Sequence, residues 1–347
     1  MTKFAFIDRD GTLIYEPEET KQIDSLVKLK ILPNAISGMQ KLIKSGYQLV
    51  MISNQDGLGT KFFPKQNFLK PQNAMLKIFK QNKIKFYKIF ICPHLPAKNC
   101  ACRKPKLGLL KNFLTEENID YQNSIMIGDR ESDQEFAKNL KIKFIAMPTN
   151  GCFPRFALMN RKTKETQINI ELNLDGTGKY NINTGIGFFD HMLELFSKHS
   201  LIDLKIIAHG DTNVDEHHTV EDIGIVLGQA IKTALGDKKG IKRYGFLLPM
   251  DETLAQVAMD LGGRSYLIFK YQPRREFVGD LPTELLEDFF QAIADNLSCN
   301  LHIEIKYGRN EHHKIEAIFK AFAKTMKMAI EADPRAINLL PSTKGKL

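Results

Sequence analysis

The chain has 347 residues, of which 43% are hydrophobic and 26% charged, and its formal net charge is +9. This length and composition predict a globular protein of two domains. They exclude a membrane-spanning chain, because no apolar run reaches the ~18–20 residues that cross a bilayer. The first apolar run, residues 4–7, meets Asp8 too early for a signal peptide. We therefore expect a cytoplasmic protein.

The positive charge could indicate a nucleic-acid partner. The lysines are spread along the chain, however, and no run interleaves arginine with aromatic residues as a nucleic-acid surface does. An excess of positive charge suits small anionic substrates equally well. We expect small phosphate-bearing molecules as partners, and neither nucleic acid nor a membrane.

A pair of aspartates follows the first predicted strand. Residues 4–7 form a short apolar run typical of a buried parallel strand, and the sequence Asp8-Arg9-Asp10-Gly11-Thr12 comes directly after it. Open α/β sheets bind ligands at this end of their strands. Two carboxylates two residues apart can divide the work, since one can attack phosphorus while the other serves the leaving oxygen. A polar turn without a catalytic role is the alternative for this motif alone.

Three later residues supply the other groups that phosphate chemistry needs. Ser53 ends the apolar run 49–52, and its hydroxyl can hold a phosphate oxygen. Lys104 offers a point cation for the same anion. Asp129 follows a third apolar run, 124–127, and its carboxylate can complete a Mg²⁺ site with the first two aspartates.

Three cysteines and one histidine lie close together between these strands: Cys92, His94, Cys100 and Cys102. In a cytoplasmic chain this spacing indicates a metal rather than disulfides. Three thiolates and one imidazole fill a tetrahedral Zn²⁺ site and leave no position for water, so we expect a structural ion. Free cysteines are the alternative.

Taken in order, these elements resemble the haloacid dehalogenase phosphatase superfamily. The resemblance implies an α/β domain with a Rossmann-like parallel sheet, in which Asp8 is the nucleophile and Asp10 the acid/base. It implies that Ser53 and Lys104 bind phosphate and that Mg²⁺ is held by Asp8, Asp129 and the backbone carbonyl of Asp10. The cysteine-rich loop narrows the resemblance to the small histidinol-phosphate and heptose-bisphosphate phosphatases.

The strand pattern stops near residue 148. Pro148, Asn150, Gly151 and Pro154 interrupt the chain, and a charged run follows at 161–164. We place a linker at residues 155–163. The predicted domains are 1–156 and 157–347.

The second domain shows the same order of elements twice, which predicts an internal duplication and an α+β fold. The first pass has strands near 166–174, 180–184 and 201–208, a helix at 187–199 and a helix that begins at His217. The second has strands near 254–261, 265–272 and 300–307, a helix at 283–298 and a helix that begins at His312.

Each of the two final helices begins with the sequence His-His-x-x-Glu. On a helix Glu221 lies one turn from both His217 and His218, and the second copy repeats this arrangement. The two adjacent histidines diverge by about 100°, so they most easily serve different metals. Imidazole with carboxylate suits Zn²⁺, Mn²⁺ or Fe²⁺. Surface histidines at a helix start are the alternative, which the repeat disfavours.

Longer motifs narrow the family that the second domain resembles. Both His-His-x-x-Glu copies occur together with Lys164-Glu165-Thr166, Asp190-His191-Met192, Lys242-Arg243-Tyr244, Gly263-Arg264 and Ser342-Thr343-Lys344. In this combination they resemble the imidazoleglycerol-phosphate dehydratases over essentially all of 164–347. With the first domain, the whole chain is similar to the family of bifunctional bacterial histidine-biosynthesis proteins.

The dehydratase resemblance implies two Mn²⁺ ions per site, in a large homo-oligomeric shell whose sites lie between subunits. The ligands that it implies are His191, His217, His218, Glu221, His312, His313 and Glu316. Glu165 is implied to be a substrate contact and candidate acid/base. Phosphate and glycerol contacts are implied for Arg243, Arg264, Ser342 and Lys344.

One position departs from the family pattern. By the repeat, Asp190-His191 corresponds to Glu287-Asp288, where the family usually has a second ligating histidine. A carboxylate still suits Mn²⁺, so we expect Asp288 to be a ligand. Three functions follow: both activities, a phosphatase alone acting on a sugar bisphosphate, or a phosphatase joined to an assembly that binds metal but has lost dehydration.

Overall fold

The computed structural model describes residues 1–148, 153–245, 248–333, 335–336 and 339–344. It divides into two compact units, Met1–Pro154 and Arg155–Leu347, and each is described here by itself. Two of the residues used to predict the end of the first domain, Asn150 and Gly151, lie outside the described ranges. The predicted boundary at residue 156 stays a prediction.

The first unit is a parallel sheet with helices. Its strands are β1 (Lys3–Ile7), β2 (Tyr47–Asn54), β3 (Lys88–Cys92), β4 (Ile125–Gly128) and β5 (Lys143–Ala146), and its helices are α1 (Ala35–Lys44), α2 (Lys65–Gln81), α3 (Lys111–Glu116) and α4 (Glu131–Leu140). All neighbours in the order β3-β2-β1-β4-β5 are parallel. The strand order therefore reverses at β1, with β2 and β3 on one side and β4 and β5 on the other. Sheets of this kind bind ligands at the point of reversal.

Aromatic side chains fill the core against β1. Phe4 and Phe6 are fully buried, and the Phe4 ring meets Phe113 edge-on with centroids 5.1 Å apart. Phe6 meets Phe136 of α4 in the same way at 6.0 Å. Edge-to-face pairs of this kind add to the free energy of burying the rings. The core fixes β1, and with it the position of the aspartates that follow.

The second unit is richer in strands. Its strands are β6 (Phe156–Lys162), β7 (Thr166–Asn173), β8 (Tyr180–Asn183), β9 (Asp203–Gly210), β10 (Tyr244–Gly245), β11 (Leu248–Met250), β12 (Thr253–Asp260), β13 (Tyr266–Lys270), β14 (Phe277–Val278), β15 (Leu281–Pro282) and β16 (Asn300–Tyr307). Its helices are α5 (Gly187–Ser200), α6 (His217–Leu235), α7 (Leu285–Leu297) and α8 (Glu311–Ile330).

The two main sheets of this unit share one topology. Their strand orders are β6-β7-β9-β8 and β10-β12-β16-β13, with β11 also paired to β12. In each sheet the second strand is antiparallel to the first and third, whereas the last strand is parallel to the third. The predicted α+β duplication is therefore confirmed.

The helices pair across the two halves. α5 packs against α8, and α6 packs against α7. Gly224 makes the second pairing close, because a Cβ at this position would lie 2.8 Å from the carbonyl oxygen of Phe289. The first turn of each His-His-x-x-Glu helix thus lies beside a helix from the opposite half.

The predicted linker at 155–163 was wrong. Residues Phe156–Lys162 form β6, which pairs with β7 along its whole length. The charged run looked like a linker because β6 is an edge strand, where polar side chains that face solvent are tolerated. Arg161 also has a structural partner, since its Nε donates to Asp222 at 2.8 Å.

The structure contains no helix, among the residues it describes, that is both long and apolar enough to cross a membrane.

Candidate active sites and metal centres

Asp8 and Asp10 lie immediately after β1, and both are buried. The chain turns at Gly11 with φ of +75°, in the left-handed region that favours glycine. A Cβ at Gly11 would overlap the carboxylate of Asp129, which follows β4. The turn thus brings the ends of two neighbouring strands close enough for their carboxylates to share one site.

Lys104 is the cation of this site. Its Nζ lies 2.7 Å from Asp8 Oδ1 and 2.5 Å from Asp133 Oδ1, although neither contact has regular hydrogen-bond geometry. Burial lowers the pKa of Lys104, but the two carboxylates outweigh it and the pKa is raised, so the ammonium stays charged. Asn54 fixes the backbone of Lys104, accepting from its N–H at 3.0 Å.

The predicted phosphate ligand Ser53 lies at the end of β2 and is buried. Its Oγ accepts a hydrogen bond from Gln55 Nε2 at 2.9 Å, and the same nitrogen donates to Asp10 Oδ2 at 2.5 Å. Sequence reasoning missed Gln55, which carries no charge and lies just beyond the strand. Ser53 and Asp10 are therefore joined through one amide group.

Burial and charge act in opposite directions on Asp10. Desolvation raises its pKa most, the pair with Arg9 lowers it and the charge of Asp8 raises it, which gives a pKa of about 6. A carboxyl group with such a pKa can both give and accept a proton near neutral pH. This is the behaviour required of an acid/base residue.

Three carboxylates could hold a divalent cation. One oxygen from each of Asp8, Asp129 and Asp133 lies within 4.8 Å of the others. Hard oxygen donors of this kind fit Mg²⁺. The predicted set was Asp8, Asp129 and the backbone carbonyl of Asp10, so Asp133 is the residue that sequence reasoning missed.

In the sequence Asp133 resembles an ordinary helix cap. It lies four residues after Asp129, in the first turn of α4, where its Oδ2 accepts a hydrogen bond from the Arg130 N–H at 3.2 Å. An acidic residue in a first helical turn is usually explained as a cap. Here the second oxygen of the cap also pairs with Lys104.

We expect Gly11→Ala to raise the Mg²⁺ concentration that phosphate release needs and to destabilise the first unit. The left-handed backbone costs an alanine about 1–3 kcal/mol, and its Cβ would also displace Asp129. Thermal melting and Mg²⁺ titration of activity measure the two effects. Gly59→Ala is the matched control, because Gly59 has φ of +91° but no heavy atom within 4 Å of a Cβ. Equal Mg²⁺ dependence in both variants would contradict the expectation.

The predicted zinc ligands come together in the loop after β3. Cys102 Sγ lies 3.3 Å from Cys92 Sγ, 3.2 Å from Cys100 Sγ and 3.1 Å from His94 Nδ1. All four ligand atoms lie within 4.8 Å of one another. The ligand atoms of a tetrahedral Zn²⁺ ion lie about 3.5–4 Å apart at ordinary bond lengths, and Cys92 Sγ lies 3.8 Å from His94 Nδ1 and 3.7 Å from Cys100 Sγ, so only the pairs with Cys102 would have to open slightly. The cluster therefore fits this ion.

We expect Cys102→Ser to lose bound zinc and to lower the melting temperature of the first unit, because metal binding contributes directly to the folding of such loops. Elemental analysis of purified protein measures the zinc content. Cys299→Ala is the control, since this buried thiol lies in the second unit. Unchanged zinc in Cys102→Ser would rule out the four-ligand site.

In the second unit, α5 and α8 bring three predicted ligands together. His191 Nε2 lies 3.1 Å from Glu316 Oε1, and His312 Nε2 lies 3.7 Å from the same oxygen. Burial raises the pKa of Glu316, but hydrogen bonds from His191 and Lys320 outweigh it, so the pKa is lowered. Glu316 is thus held ionised between two imidazoles, as a metal ligand would be.

The helices α6 and α7 form the matching group. His217 Nε2 lies 3.7 Å from Glu221 Oε2, and His217 Nδ1 lies 3.8 Å from Asp288 Oδ2. Asp288 therefore lies where the duplication places it: in this group it takes the position that His191 takes in the first group. All three side chains are nearly half exposed, with exposed fractions of 43%, 47% and 47%.

The second histidine of each motif faces a different carboxylate. His218 Nδ1 lies 3.2 Å from Asp211 Oδ1, and His313 Nδ1 lies 2.9 Å from Glu252 Oε2. These hydrogen bonds raise the pKa of both imidazoles. A carboxylate on one ring nitrogen directs the other nitrogen outward. Sequence reasoning named neither Asp211 nor Glu252 as a partner, because both lie on loops outside the helices that carry the histidines.

The helices begin alike. Asp215 Oδ1 accepts a hydrogen bond from the His217 N–H at 2.6 Å, and Asn310 Oδ1 accepts one from the His312 N–H at 3.0 Å. Each acceptor lies two residues before the first histidine, and Asn310 is the N-cap of its helix. These hydrogen bonds fix where each helix begins, and the rotation of about 100° per residue then makes the two histidines of each pair diverge.

The predicted substrate contacts line one pocket. Arg243, Arg264, Ser342 and Lys344 all border an open cavity of about 810 Å³. The Arg243 guanidinium donates to Asp260 Oδ2 at 2.8 Å and to the Pro341 carbonyl at 2.9 Å, which fixes it at the wall. Glu165 is placed elsewhere, close enough to His218 for its charge to raise the pKa of that imidazole.

Comparison with known proteins agrees with both units. The family model for imidazoleglycerol-phosphate dehydratase matches residues 184–326, and that for polynucleotide kinase 3 phosphatase matches residues 3–150. A dehydratase structure from Staphylococcus aureus is 45% identical and covers 51% of this chain and 99% of its own, with a TM-score of 0.47.

Two relatives match this chain over essentially its whole length. The histidine biosynthesis bifunctional protein HisB of Spirosoma linguale is 47% identical over 100% of both chains. The protein of the same description from Actinobacillus pleuropneumoniae is 49% identical over 99% of this chain and 98% of its own.

The fold and the sites define a bifunctional enzyme, in which a haloacid dehalogenase-like phosphatase unit precedes a duplicated, metal-dependent dehydratase unit. More particularly, the chain belongs to the family of histidine biosynthesis bifunctional proteins. The predicted fold class, the predicted family and the predicted pair of activities are confirmed.

Proposed function

We propose that the first unit hydrolyses histidinol phosphate to histidinol and phosphate, and that the second dehydrates imidazole glycerol phosphate to imidazole acetol phosphate. The arrangement of Asp8 between Lys104 and Asp129 carries the first assignment. Two repeated groups carry the second assignment. In one, the imidazoles of His191 and His312 meet the Glu316 carboxylate. In the other, the imidazole of His217 lies between the carboxylates of Glu221 and Asp288. Both substrates are small phosphate esters, as the substrate class of the family implies.

In the phosphatase, the chain's own groups supply nucleophile, acid and charge. The Asp8 carboxylate attacks phosphorus and forms an aspartyl phosphate, and Asp10 gives its proton to the leaving oxygen. Ser53 and Lys104 hold the phosphate oxygens that are not transferred. Asp8, Asp129 and the Asp10 carbonyl would hold Mg²⁺, and the bound ion would neutralise phosphate charge. Water activated by Asp10 then releases phosphate from Asp8.

Asp133 belongs to this site as a neighbour of Lys104. Its contact with the ammonium is as short as that of Asp8, so the lysine is held between two carboxylates. One oxygen of Asp133 contacts Lys104 and the other caps α4. Asp133 therefore orients the ammonium group of Lys104 and is not a ligand of the metal ion. Zn²⁺ at the cysteine cluster has a structural role, because no ligand position is left for a substrate.

In the dehydratase, the substrate has no carbonyl next to the hydrogen that is removed, so ordinary enolate formation is closed to it. Two Mn²⁺ ions, when bound, supply positive charge that favours loss of the imidazole ring proton. The ring can then accept the electrons as hydroxide leaves. Glu165 contacts the substrate and moves a proton there, while the pocket that contains Arg243 and Lys344 binds its phosphate.

The eight proposed Mn²⁺ ligands do not close around an ion within one chain. His218 and His313 turn away from the groups formed by the other six, among the residues that the structure describes. Ligands from another copy would complete each site, which supports a homo-oligomer in which sites lie between subunits. Light scattering of metal-stripped protein, before and after addition of Mn²⁺, tests this coupling. A monomer that dehydrates substrate would contradict it.

The loss of dehydration through Asp288 is not favoured. Asp288 keeps a ligand atom beside His217, and the other proposed ligands are all present. Purified protein should release phosphate from histidinol phosphate with Mg²⁺ and, after chelation, should turn over imidazole glycerol phosphate only when Mn²⁺ is restored. Failure of either reaction in metal-loaded protein would remove that activity from the proposal. A cytoplasmic location also stays a prediction.

A further inference from the structure

The carboxyl group of Asp10 is held at both of its oxygens. Arg9 Nη1 donates to Oδ1 at 2.6 Å, and Gln55 Nε2 donates to Oδ2 at 2.5 Å. The amide of Gln55 also lies 2.9 Å from Ser53 Oγ. Two donors on opposite oxygens fix the plane of a carboxyl group, because rotation about its bond to Cβ would break both hydrogen bonds.

Arg9 is itself anchored from α2. Its Nε donates to Gln72 Oε1 at 2.8 Å, and its guanidinium carbon lies 4.9 Å from the centre of the Phe68 ring. Its side chain is fully buried, and Nη2 has no hydrogen-bond partner among the residues that the structure describes. The orientation of Asp10 is therefore fixed to a helix rather than to its own loop.

A purely structural role is the simpler explanation of the ion pair between Arg9 and Asp10, and two arguments speak against it. A buried ion pair is generally no more stabilising than well-packed apolar side chains. Leaving Nη2 of a buried guanidinium without a partner adds a further desolvation cost. Arg9 is thus a poor means of joining α2 to the sheet, but it places a rigid donor beside Asp10.

We propose that Arg9 and Gln55 are positioning residues, which hold the carboxyl group of Asp10 in the orientation from which it protonates the leaving oxygen. This inference rests on the role proposed above for Asp10. As the bond from phosphorus to Asp8 forms, the bond to the leaving oxygen breaks and the Asp10 proton passes to that oxygen. The water that later hydrolyses the aspartyl phosphate returns a proton to Asp10.

The test compares two leaving groups in the first turnover, measured by rapid quench. Histidinol leaves as an alkoxide and needs a proton, whereas p-nitrophenolate leaves readily without one. Arg9→Met and Gln55→Leu should each slow release of histidinol by about 100-fold, which is the effect of misplacing a catalytic group. Release of p-nitrophenol should change little, and the substrate concentration that gives half the maximal first-turnover rate should stay the same. Restricting the measurement to the first turnover excludes the hydrolysis step, which both substrates share.

Asp10→Asn is the reference variant, and it should show the same dependence on leaving group. In the Asp10→Asn background, Arg9→Met should cause no further loss, because residues that act as one unit are not additive. Gln40→Leu is the matched control, since it removes a part-buried amide bonded to the Asn82 carbonyl at 2.8 Å. It should leave both rates unchanged.

Two results would overturn the positioning role. One is an equal loss on both substrates in Arg9→Met and Gln55→Leu while Asp10→Asn discriminates between them, and the other is no loss in either variant. If Asp10→Asn itself failed to discriminate, the role of Asp10 would be wrong and the positioning role would be wrong with it. Gln55→Leu keeps the test decisive if Arg9→Met does not fold, because it introduces no change at the buried guanidinium.

Discussion

Asp8→Asn is expected to abolish phosphate release from histidinol phosphate and to leave dehydration of imidazole glycerol phosphate unchanged. An amide cannot form the acyl phosphate, so the loss should be on the order of 10⁴-fold or more. The side chain stays nearly the same size, and Lys104 keeps its second partner Asp133. Assays of both reactions on one preparation measure the effect.

Asp24→Asn is the matched control for this variant. The substitution makes the same chemical change on the surface of the first unit, at a residue whose described partner is Lys28 at 2.9 Å. Its phosphatase activity should equal that of the wild type. If Asp8→Asn also lost dehydration, the two units would not work independently, and if it kept phosphate release, Asp8 would not be the nucleophile.

Replacing Asp288 should have the largest effect on dehydration. Asp288→Ala removes the oxygen that lies 3.8 Å from His217 Nδ1, and it leaves His217 and Glu221 as the described part of that group. Even second-shell changes weaken metal binding by about 10-fold to 100-fold, so loss of a ligand should exceed 10-fold. Asp288→His restores the imidazole usual in the family and should keep or tighten Mn²⁺ binding.

Titration of metal-stripped protein with Mn²⁺, followed by calorimetry and by dehydration, separates these outcomes. Glu287→Ala is the control, because it removes a neighbouring acid of α7 that, among the described residues, forms no ion pair with His217 or Glu221. It should bind Mn²⁺ like the wild type. Equal Mn²⁺ affinity in Asp288→Ala would mean that this carboxylate only faces solvent.

Much of the first site follows from the sequence because parallel strands end at the same edge of their sheet. Asp8, Ser53 and Asp129 each follow an apolar run, and topology alone then brings them together. Gln55 and Asp133 were missed for a different reason. One is uncharged and the other resembles an ordinary helix cap, so each acquires its role only through the three-dimensional contacts to Asp10 and Lys104.

The second unit shows where periodicity works and where it fails. The long amphipathic helices and the half-buried strands β7, β9, β12 and β16 were predicted within a few residues. The edge strand β6 and the short strands β10, β11, β14 and β15 were not predicted. Pairings of two or three residues leave almost no alternation to detect, and an edge strand needs no buried face on both sides.

The distance along the chain from the last proposed zinc ligand to the Lys104 ammonium group is very short. Cys102 is followed by Arg103, which bonds the His94 carbonyl at 3.1 Å, and then by Lys104. Zinc occupancy would therefore act on phosphate binding, whereas the proposed dehydratase ligands all lie in the second unit. Both activities are made in a fixed ratio, because one polypeptide carries them. Oxidation of these thiols or zinc starvation would change that ratio after synthesis, so phosphate release would fall relative to dehydration without any change in gene expression.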